Sequence, residues 1–499
     1  MSTNNENKKM KPWVGWMLFF VTMGVVFLLG MLAASITTRR AEITSIMNNK
    51  KVEIKGIESR SEIFAENYPR EYDTWRATED TTFQSRYNGS SIVDVLAERP
   101  EMVVLWAGYA FSKDYGTPRG HMHMIEDLHE TLRTGSPMNP DDGPQPATCW
   151  TCKSPDVPRL MDSLGIAEYY KGTWASLGHE VVNPVGCADC HEPETMNLQI
   201  SRPALLEGLA NSGQDVHKMS QQDMRSLACA QCHVEYYFQP ETNNLVFPWH
   251  NGLTMEGGEE YYDKVGHVDY VHKLSRAPIL KAQHPDYEIF LQGIHGQRGV
   301  SCADCHMPYI SEGGVKYSDH HIISPLANIN NTCQVCHRES EETLRESVYE
   351  RQRKGLEIRD LVEKELAAAH IEAKFAWDKG ATEAQMAEVL QLLRQSQWRW
   401  DYAVASHGAS FHAPVEFQRI LAQSLDRAHK ARFEIAKLLP QLGHIGAVPM
   451  PDISTKDKAQ AYIGLDMEQE RANKKVFMET VVPQWLETAK KNQRLVSRR

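Results

Sequence analysis

The apolar residues of this chain fall into three regimes. From Pro12 to Thr38 no residue is charged, and Trp, Phe, Val, Leu and Met dominate. The run is longer than the roughly 7–15-residue core of a signal peptide and meets the about 20 residues a spanning helix needs. Lys8, Lys9 and Lys11 precede it, and Arg39 and Arg40 follow. It predicts an uncleaved transmembrane anchor; cleavage near the small residues Ala33, Ala34 and Ser35 is the other reading. Between residues 149 and 337 periodicity is weak and Gly, Pro and Asn are frequent. Before that region lie a short apolar run, Met102 to Ala110, and a helix candidate near Met122–Arg133. After residue 337 helical spacing takes over. Residues 338–378 predict one long charged helix with Leu344, Val348, Leu361, Val362 and Leu366 as apolar points, ended by Lys379-Gly380. Thr382 with Gln385 reads as a capping box, and Met386, Val389, Leu390 and Leu393 follow at i, i+3, i+4, i+7. A further helix runs from about Pro414 to Leu438 and stops near Pro440 and Gly443. The expected fold class is mainly α with little β.

Cysteine spacing explains the weakly periodic middle. All ten cysteines form C-x-x-C pairs: Cys149/Cys152, Cys187/Cys190, Cys229/Cys232, Cys302/Cys305 and Cys333/Cys336. Histidine follows four of them at once: His191, His233, His306 and His337. C-x-x-C-H is the attachment signature of c-type haem. A lone C-x-x-C would equally suit a zinc knuckle or a redox dithiol. Four followed by histidine, with no thiol left over, do not suit either, nor a disulfide framework. The first pair ends in Lys153 instead, and its shared spacing makes it a fifth haem site. Five covalent haems would form the apolar core of this region. The expected architecture is thus a multihaem cytochrome c core wrapped by loops and helices, followed by long C-terminal helices.

Composition adds limits. The chain has 499 residues and a net charge of −11, so nothing favours nucleic acid as a partner. Haem is attached covalently outside the bacterial cytoplasm, which places the body in the periplasm. The charges flanking the apolar run are too balanced to orient it; the haem chemistry orients it, N-terminus inside. The expected organisation is a cytoplasmic tail (1–11), a transmembrane anchor or signal segment (12–38), a linker (39–75), a pentahaem catalytic core (76–337), a long-helix region serving as lid and dimer interface (338–445) and a C-terminal extension (446–499).

The lysine carries the functional inference. Iron held by histidine on both faces is saturated and serves electron transfer. Lysine must lose its proton to ligate, which is unfavourable near neutral pH. An amine donates σ density without accepting π density, and pushes electron density to the opposite face. The lysine haem is therefore expected to keep an open distal position and be the catalytic centre, wired by the other four.

The motif order resembles the pentahaem cytochrome c nitrite reductases, the ammonia-forming cytochrome c-552 family, over roughly residues 90–440. The resemblance rests on Arg119-Gly120-His121, Thr131–Gly135, Cys149–Lys153, Cys232–Tyr237, Lys281–Pro285, Gly293–Gly296, Tyr317–His320 and Ser410–Pro414. It implies that Arg133, Tyr236 and His284 surround the substrate with Lys153 below. A guanidinium and an imidazole make a donor-rich, positive pocket for a small anion. It implies one calcium ion held by Glu235, Gln283 and the carbonyls of Tyr236 and Lys281, all hard oxygen donors. It pairs distal His320 with His191, His121 with His233, His412 with His306 and His295 with His337. His321, His123 and His407 are the competing neighbours. It implies six-electron reduction of nitrite to ammonium. The implied partners are a membrane tetrahaem quinol dehydrogenase or a soluble multihaem cytochrome as donor, the inner membrane, and a second copy of the chain. The alternatives are a related hydroxylamine- or sulfite-converting multihaem enzyme and a non-catalytic electron conduit.

Overall fold

The computed structural model describes residues 11–48 and 50–496. Helix accounts for 59% and strand for 5%, so the mainly α class with little β holds. Two units are distinguished, Met1–Glu53 with Glu312–Val315, and Ile54–Ser311 with Lys316–Arg499. In the first, helix α1 (Pro12–Asn48) carries an apolar stretch, Pro12–Ala41, whose most apolar 18-residue window has mean hydropathy 2.4 and no buried residue. It is long and apolar enough to cross a membrane. Residues 1–10 of the expected cytoplasmic tail lie outside the described residues.

In the second unit the region before residue 337 is built of short helices and turns. Helix α2 (Met124–Glu130) is one of them. Two small antiparallel ribbons pair Tyr237 with Val246 and Tyr270 with Ile279. The long helices follow where the apolar spacing placed them: α3 (Glu341–Asp378), α4 (Glu383–Ala405) and α5 (Pro414–Leu438). Ser340 caps α3, and Thr382 and Gln385 form the expected capping box of α4. The last helix, α6 (Met467–Lys491), lies in the C-terminal extension.

Helices α3 to α5 share one apolar core through Val362, Leu366, Leu393, Ile420 and Leu421, with Met102–Ala107 buried against them. Small residues let them approach closely. Ser396 and Ser424 exchange hydroxyl-to-carbonyl hydrogen bonds at 2.7 Å each. A Cβ at Gly355 would stand 2.6 Å from the Phe417 ring. Buried ion pairs tie this core to the site. Arg99 holds Glu363, which also accepts from the Trp400 indole at 3.0 Å. Asp401 on α4 reaches Lys281 at 2.9 Å, just after the second ribbon. The helices thus position the 281–286 segment, where much of the predicted chemistry lies.

Candidate functional site

Each C-x-x-C-H motif folds into a single tight turn. The amides of His191, His233 and His337 donate to the carbonyls of Cys187, Cys229 and Cys333 at 2.9 to 3.0 Å. In a helical turn, residues i, i+3 and i+4 share one face. The two thiols and the imidazole therefore face the same way, as joint attachment and ligation of one macrocycle requires. Ser301 and Asp304 cap the fourth motif reciprocally. The first motif closes a tighter turn, with the Lys153 amide donating to the Trp150 carbonyl, three residues back, at 2.9 Å. All ten thiols are free of disulfides. Cys152 meets Cys232 and Cys229 meets Cys302, so motifs one, three and four adjoin.

Nine of the cysteines are partly buried, and Cys336, just after the short turn Cys333–Val335 that leads to α3, is exposed.

Each motif histidine faces the distal histidine expected for it. Ring centres are 6.1 Å apart for His191 and His320 and 6.4 Å for His233 and His121. They are 6.2 Å apart for His306 and His412 and 6.3 Å for His337 and His295. With a metal–nitrogen bond of about 2 Å and about 1.1 Å from nitrogen to ring centre, two imidazoles on one metal stand about 6.2 Å apart. Packed imidazoles come closer, as His272 and His370 do at 3.8 Å. All four pairs thus fit an iron between them. Of the competitors, His123 is turned to the Glu79 carbonyl at 3.0 Å and Glu126 at 3.3 Å. His407 stands 6.2 Å from His284 instead. The second nitrogens are held too. His191 bonds the Met196 carbonyl, His306 that of Ile323, and His233 the Asp286 carboxylate at 3.4 Å. A carboxylate there raises ligand basicity.

Lys153 belongs to none of these pairs. It lies near His284, whose basicity burial pushes well below its ordinary value. Arg133 and Tyr236 lie near the same motif. Burial pushes the Cys149 thiol up to about 12 while Lys153 and Arg133 oppose the shift. Burial also holds the Tyr236 phenol well above its ordinary value, reinforced by Cys152 and Cys149. Tyr236 is thus a protonated donor, stacked on Phe238 at 5.8 Å.

Arg133 shows why the expected helix over 122–133 is broken. The Asp114 carboxylate takes the Thr131 hydroxyl and the Leu132 amide at 3.1 and 3.2 Å. Thr131 turns extended there, with φ −62 and ψ 137, and α2 stops at Glu130. The Thr131 oxygen then accepts from Arg133 Nε at 3.2 Å. The guanidinium lies over the Phe111 ring at 4.5 Å, and the Lys281 ammonium stands 4.8 Å from the same ring. A ring attracts a cation through its negative face.

Three of the four calcium candidates, Glu235, Gln283 and Lys281, converge. Glu235 is 1% exposed and accepts from the Gln283 amide at 2.7 Å and the Tyr262 hydroxyl at 2.9 Å. The Gln283 side-chain amide meets the Lys281 carbonyl at 3.3 Å. Burial raises Glu235 far above the carboxylate range, and Glu288 and Asp269 add to it. Glu288 is itself pushed up to about 8 by burial, with Oε2 unpartnered. Lys281, the cation nearby, is engaged by Asp401. Excess buried negative charge among hard oxygens fits a divalent cation. Among the described residues no three His, Cys, Asp or Glu side chains converge on a metal, in keeping with a set of one carboxylate plus carbonyl and amide oxygens.

The family model for cytochrome c552 matches residues 60–494. The chain belongs to the cytochrome c-552 family. It is 67% identical to the cytochrome c-552 of Parabacteroides distasonis over 98% of this chain and 99% of that one. It is 65% identical to that of Bacteroides thetaiotaomicron over 98% and 100%. The catalytic subunit of cytochrome c nitrite reductase from Desulfovibrio desulfuricans, described with two calcium sites, superposes with a TM-score of 0.73. That match is at 30% identity over 84% of this chain and 91% of that one.

Several residues of this cytochrome c-552 family site carried no separate signal in the sequence. Asp286 bonds both His233 and, at 2.7 Å, the Ser406 hydroxyl. His407, Phe111 and Glu288 likewise have no motif of their own. Their positions depend on α4, the loop after it and the 99–115 segment folding onto the haem region.

Proposed function

We propose that this chain is a periplasmic nitrite reductase that converts nitrite to ammonium with six electrons and eight protons. The observation that carries the reading is the division of the five motifs. Four have an imidazole opposite their histidine at iron-spanning distance. The fifth has Lys153 and, near it, Arg133, Tyr236 and His284. Five haems c, held by the ten cysteines, would supply electron transfer and one open coordination position. Lys153 would ligate the catalytic iron; His191 with His320, His233 with His121, His306 with His412 and His337 with His295 would ligate the rest. His233 also has His284 at 6.5 Å. Asp286 holds Nδ1 of His233 and donates its amide to the His284 carbonyl at 2.6 Å, so we assign Nε2 of His233 to His121.

The chain's own residues have distinct tasks. Arg133, fixed by Thr131 and Phe111, would hold the nitrite oxygens by charge-assisted hydrogen bonds. His284 would donate protons as N–O bonds break, and the Tyr236 phenol would hydrogen-bond the shrinking substrate. Glu235, Gln283 and the carbonyls of Tyr236 and Lys281 would hold one calcium ion and thereby fix Tyr236 and His284. Residues 76–337 would form the catalytic core and 338–445 its lid and the dimer interface. α1 would anchor the protein to the inner membrane, where a tetrahaem quinol dehydrogenase, or a soluble multihaem cytochrome, would deliver electrons.

Electron paramagnetic resonance on the oxidised protein tests this reading. A high-spin ferric signal that changes when nitrite is added is expected. Low-spin signals alone, indifferent to nitrite, would mean five saturated irons and an electron conduit. Arg133→Ala is expected to weaken nitrite binding about 10- to 100-fold with unchanged haem content, the usual scale for losing a charge-assisted contact. An unchanged nitrite titration would remove Arg133 from the site. Glu235→Gln, or calcium chelation, is expected to lower activity about tenfold, with calcium restoring the chelated enzyme only. Full activity after verified metal removal would reject the ion's role.

A further inference from the structure

The C-terminal extension has no role in the chemistry so far, yet α6 reaches both halves of the site. Lys474 is 6% exposed. Its ammonium donates to the His129 carbonyl at 3.1 Å, the Thr134 hydroxyl at 3.2 Å and the Gly135 carbonyl. These acceptors bracket Arg133 in sequence. All three are neutral oxygens, so burial of the charge is not offset by an ion pair with them. Burial of an ammonium is unfavourable unless its hydrogen bonds are made, and here all three are. What the ammonium provides is three simultaneous hydrogen bonds to one short loop.

The same helix also backs the lysine motif. Phe477 and Trp485 pack on Trp174 at 6.0 and 5.5 Å, and Trp485 on His129 at 5.6 Å. Trp174 stacks on Trp150 at 4.9 Å and 11°, and its carbonyl accepts from the Trp150 indole at 2.9 Å. Trp150 lies inside the Cys149–Lys153 motif. The approach is close, for a Cβ at Gly178 would stand 2.3 Å from the Trp485 ring. Near the start of α6, Glu470 pairs with Lys113 at 2.6 Å, between Phe111 and Tyr115. Both of those rings face the Arg133 guanidinium.

We propose that α6 is a positioning element that sets Arg133 against the Lys153 motif, with Lys474 clamping the 129–135 loop and Phe477 and Trp485 seating it on Trp150. The link to substrate rests on the nitrite-reductase reading above; the clamp itself does not. In this arrangement Arg133 receives its orientation from some 340 residues downstream, and loss of the clamp loosens substrate binding more than electron transfer or haem attachment.

The experiment compares the haem-loaded full chain with Lys474→Met, Lys474→Arg and Glu470→Ala. Amide hydrogen exchange over residues 129–135 reads the clamp, and nitrite KM and kcat read its consequence. Lys474→Met is expected to speed exchange in that segment and raise nitrite KM about tenfold, with kcat within about twofold and haem content unchanged. Lys474→Arg is expected to recover most of both. Glu470→Ala, at a partly exposed pair, is expected to shift KM in the same direction by about threefold, and it decides the matter if Lys474→Met does not fold. Unchanged exchange in the 129–135 segment overturns the clamp. Faster exchange with unchanged KM, or a loss that arginine does not restore, overturns the positioning role. If the unmodified protein does not respond to nitrite, the functional reading fails while the exchange result still judges the clamp.

Discussion

Replacing Lys153 with histidine is expected to leave all five haems attached and to lower nitrite reduction about 100-fold. The substitution turns the first motif into an ordinary C-x-x-C-H sequence. Both thiols remain, the turn is closed by the backbone from Lys153 to Trp150, and Trp150 stays seated on Trp174. Attachment therefore does not depend on the lysine side chain. What would change is the donor that the first motif offers to a haem iron, since an imidazole is a weaker σ-donor than an amine. A hundredfold loss corresponds to about 2.7 kcal/mol at the transition state, a plausible scale for one altered axial ligand. Haem content by pyridine haemochrome and steady-state turnover with a reduced dye would test it. Turnover equal to the unmodified enzyme would remove any special role for the amine and leave geometry alone to explain the site.

Local signals were legible in the sequence and distant ones were not. The capping pair Thr382 and Gln385 and the breaker Gly380 act within a few residues, and α3, α4 and α5 begin and end where these signals lie. The haem motifs are equally local, each complete within five residues. Each distal histidine lies far along the chain from its partner, nearest for His295 with His337 and farthest for His320 with His191. No periodicity connects them; motif order did, and the four separations fit one metal each. The helix expected over 122–133 shows the limit. Its residues favour helix, but Asp114 captures Thr131 and Leu132 and ends it at Glu130. That competition comes from a carboxylate seventeen positions away and produces the turn that carries Arg133. Asp286 and Phe111 were unreadable for the same reason. Each acts through a partner that only the tertiary fold supplies.

Replacing His284 with alanine is expected to separate proton supply from substrate binding. Burial holds the basicity of this imidazole below its ordinary value. An imidazole can take up a proton from solvent and hand it on between steps, cycling between imidazolium and neutral ring, which a guanidinium cannot do. His407, 6.2 Å away by ring centres, and Asp286, two residues on, make the surroundings of His284 titratable rather than apolar. Each N–O cleavage in the proposed reaction needs protons at the departing oxygen. A positioned general acid contributes about 10²- to 10⁴-fold. His284→Ala is therefore expected to lower kcat by at least about 100-fold, while nitrite KM moves by less than about threefold, because Arg133 remains in place. The contrast with Arg133→Ala is the sharper test, since that variant should change KM chiefly. If His284→Ala instead weakened nitrite binding and spared kcat, His284 would be an anion-binding donor like Arg133. The protons would then have to come from Tyr236 or from solvent.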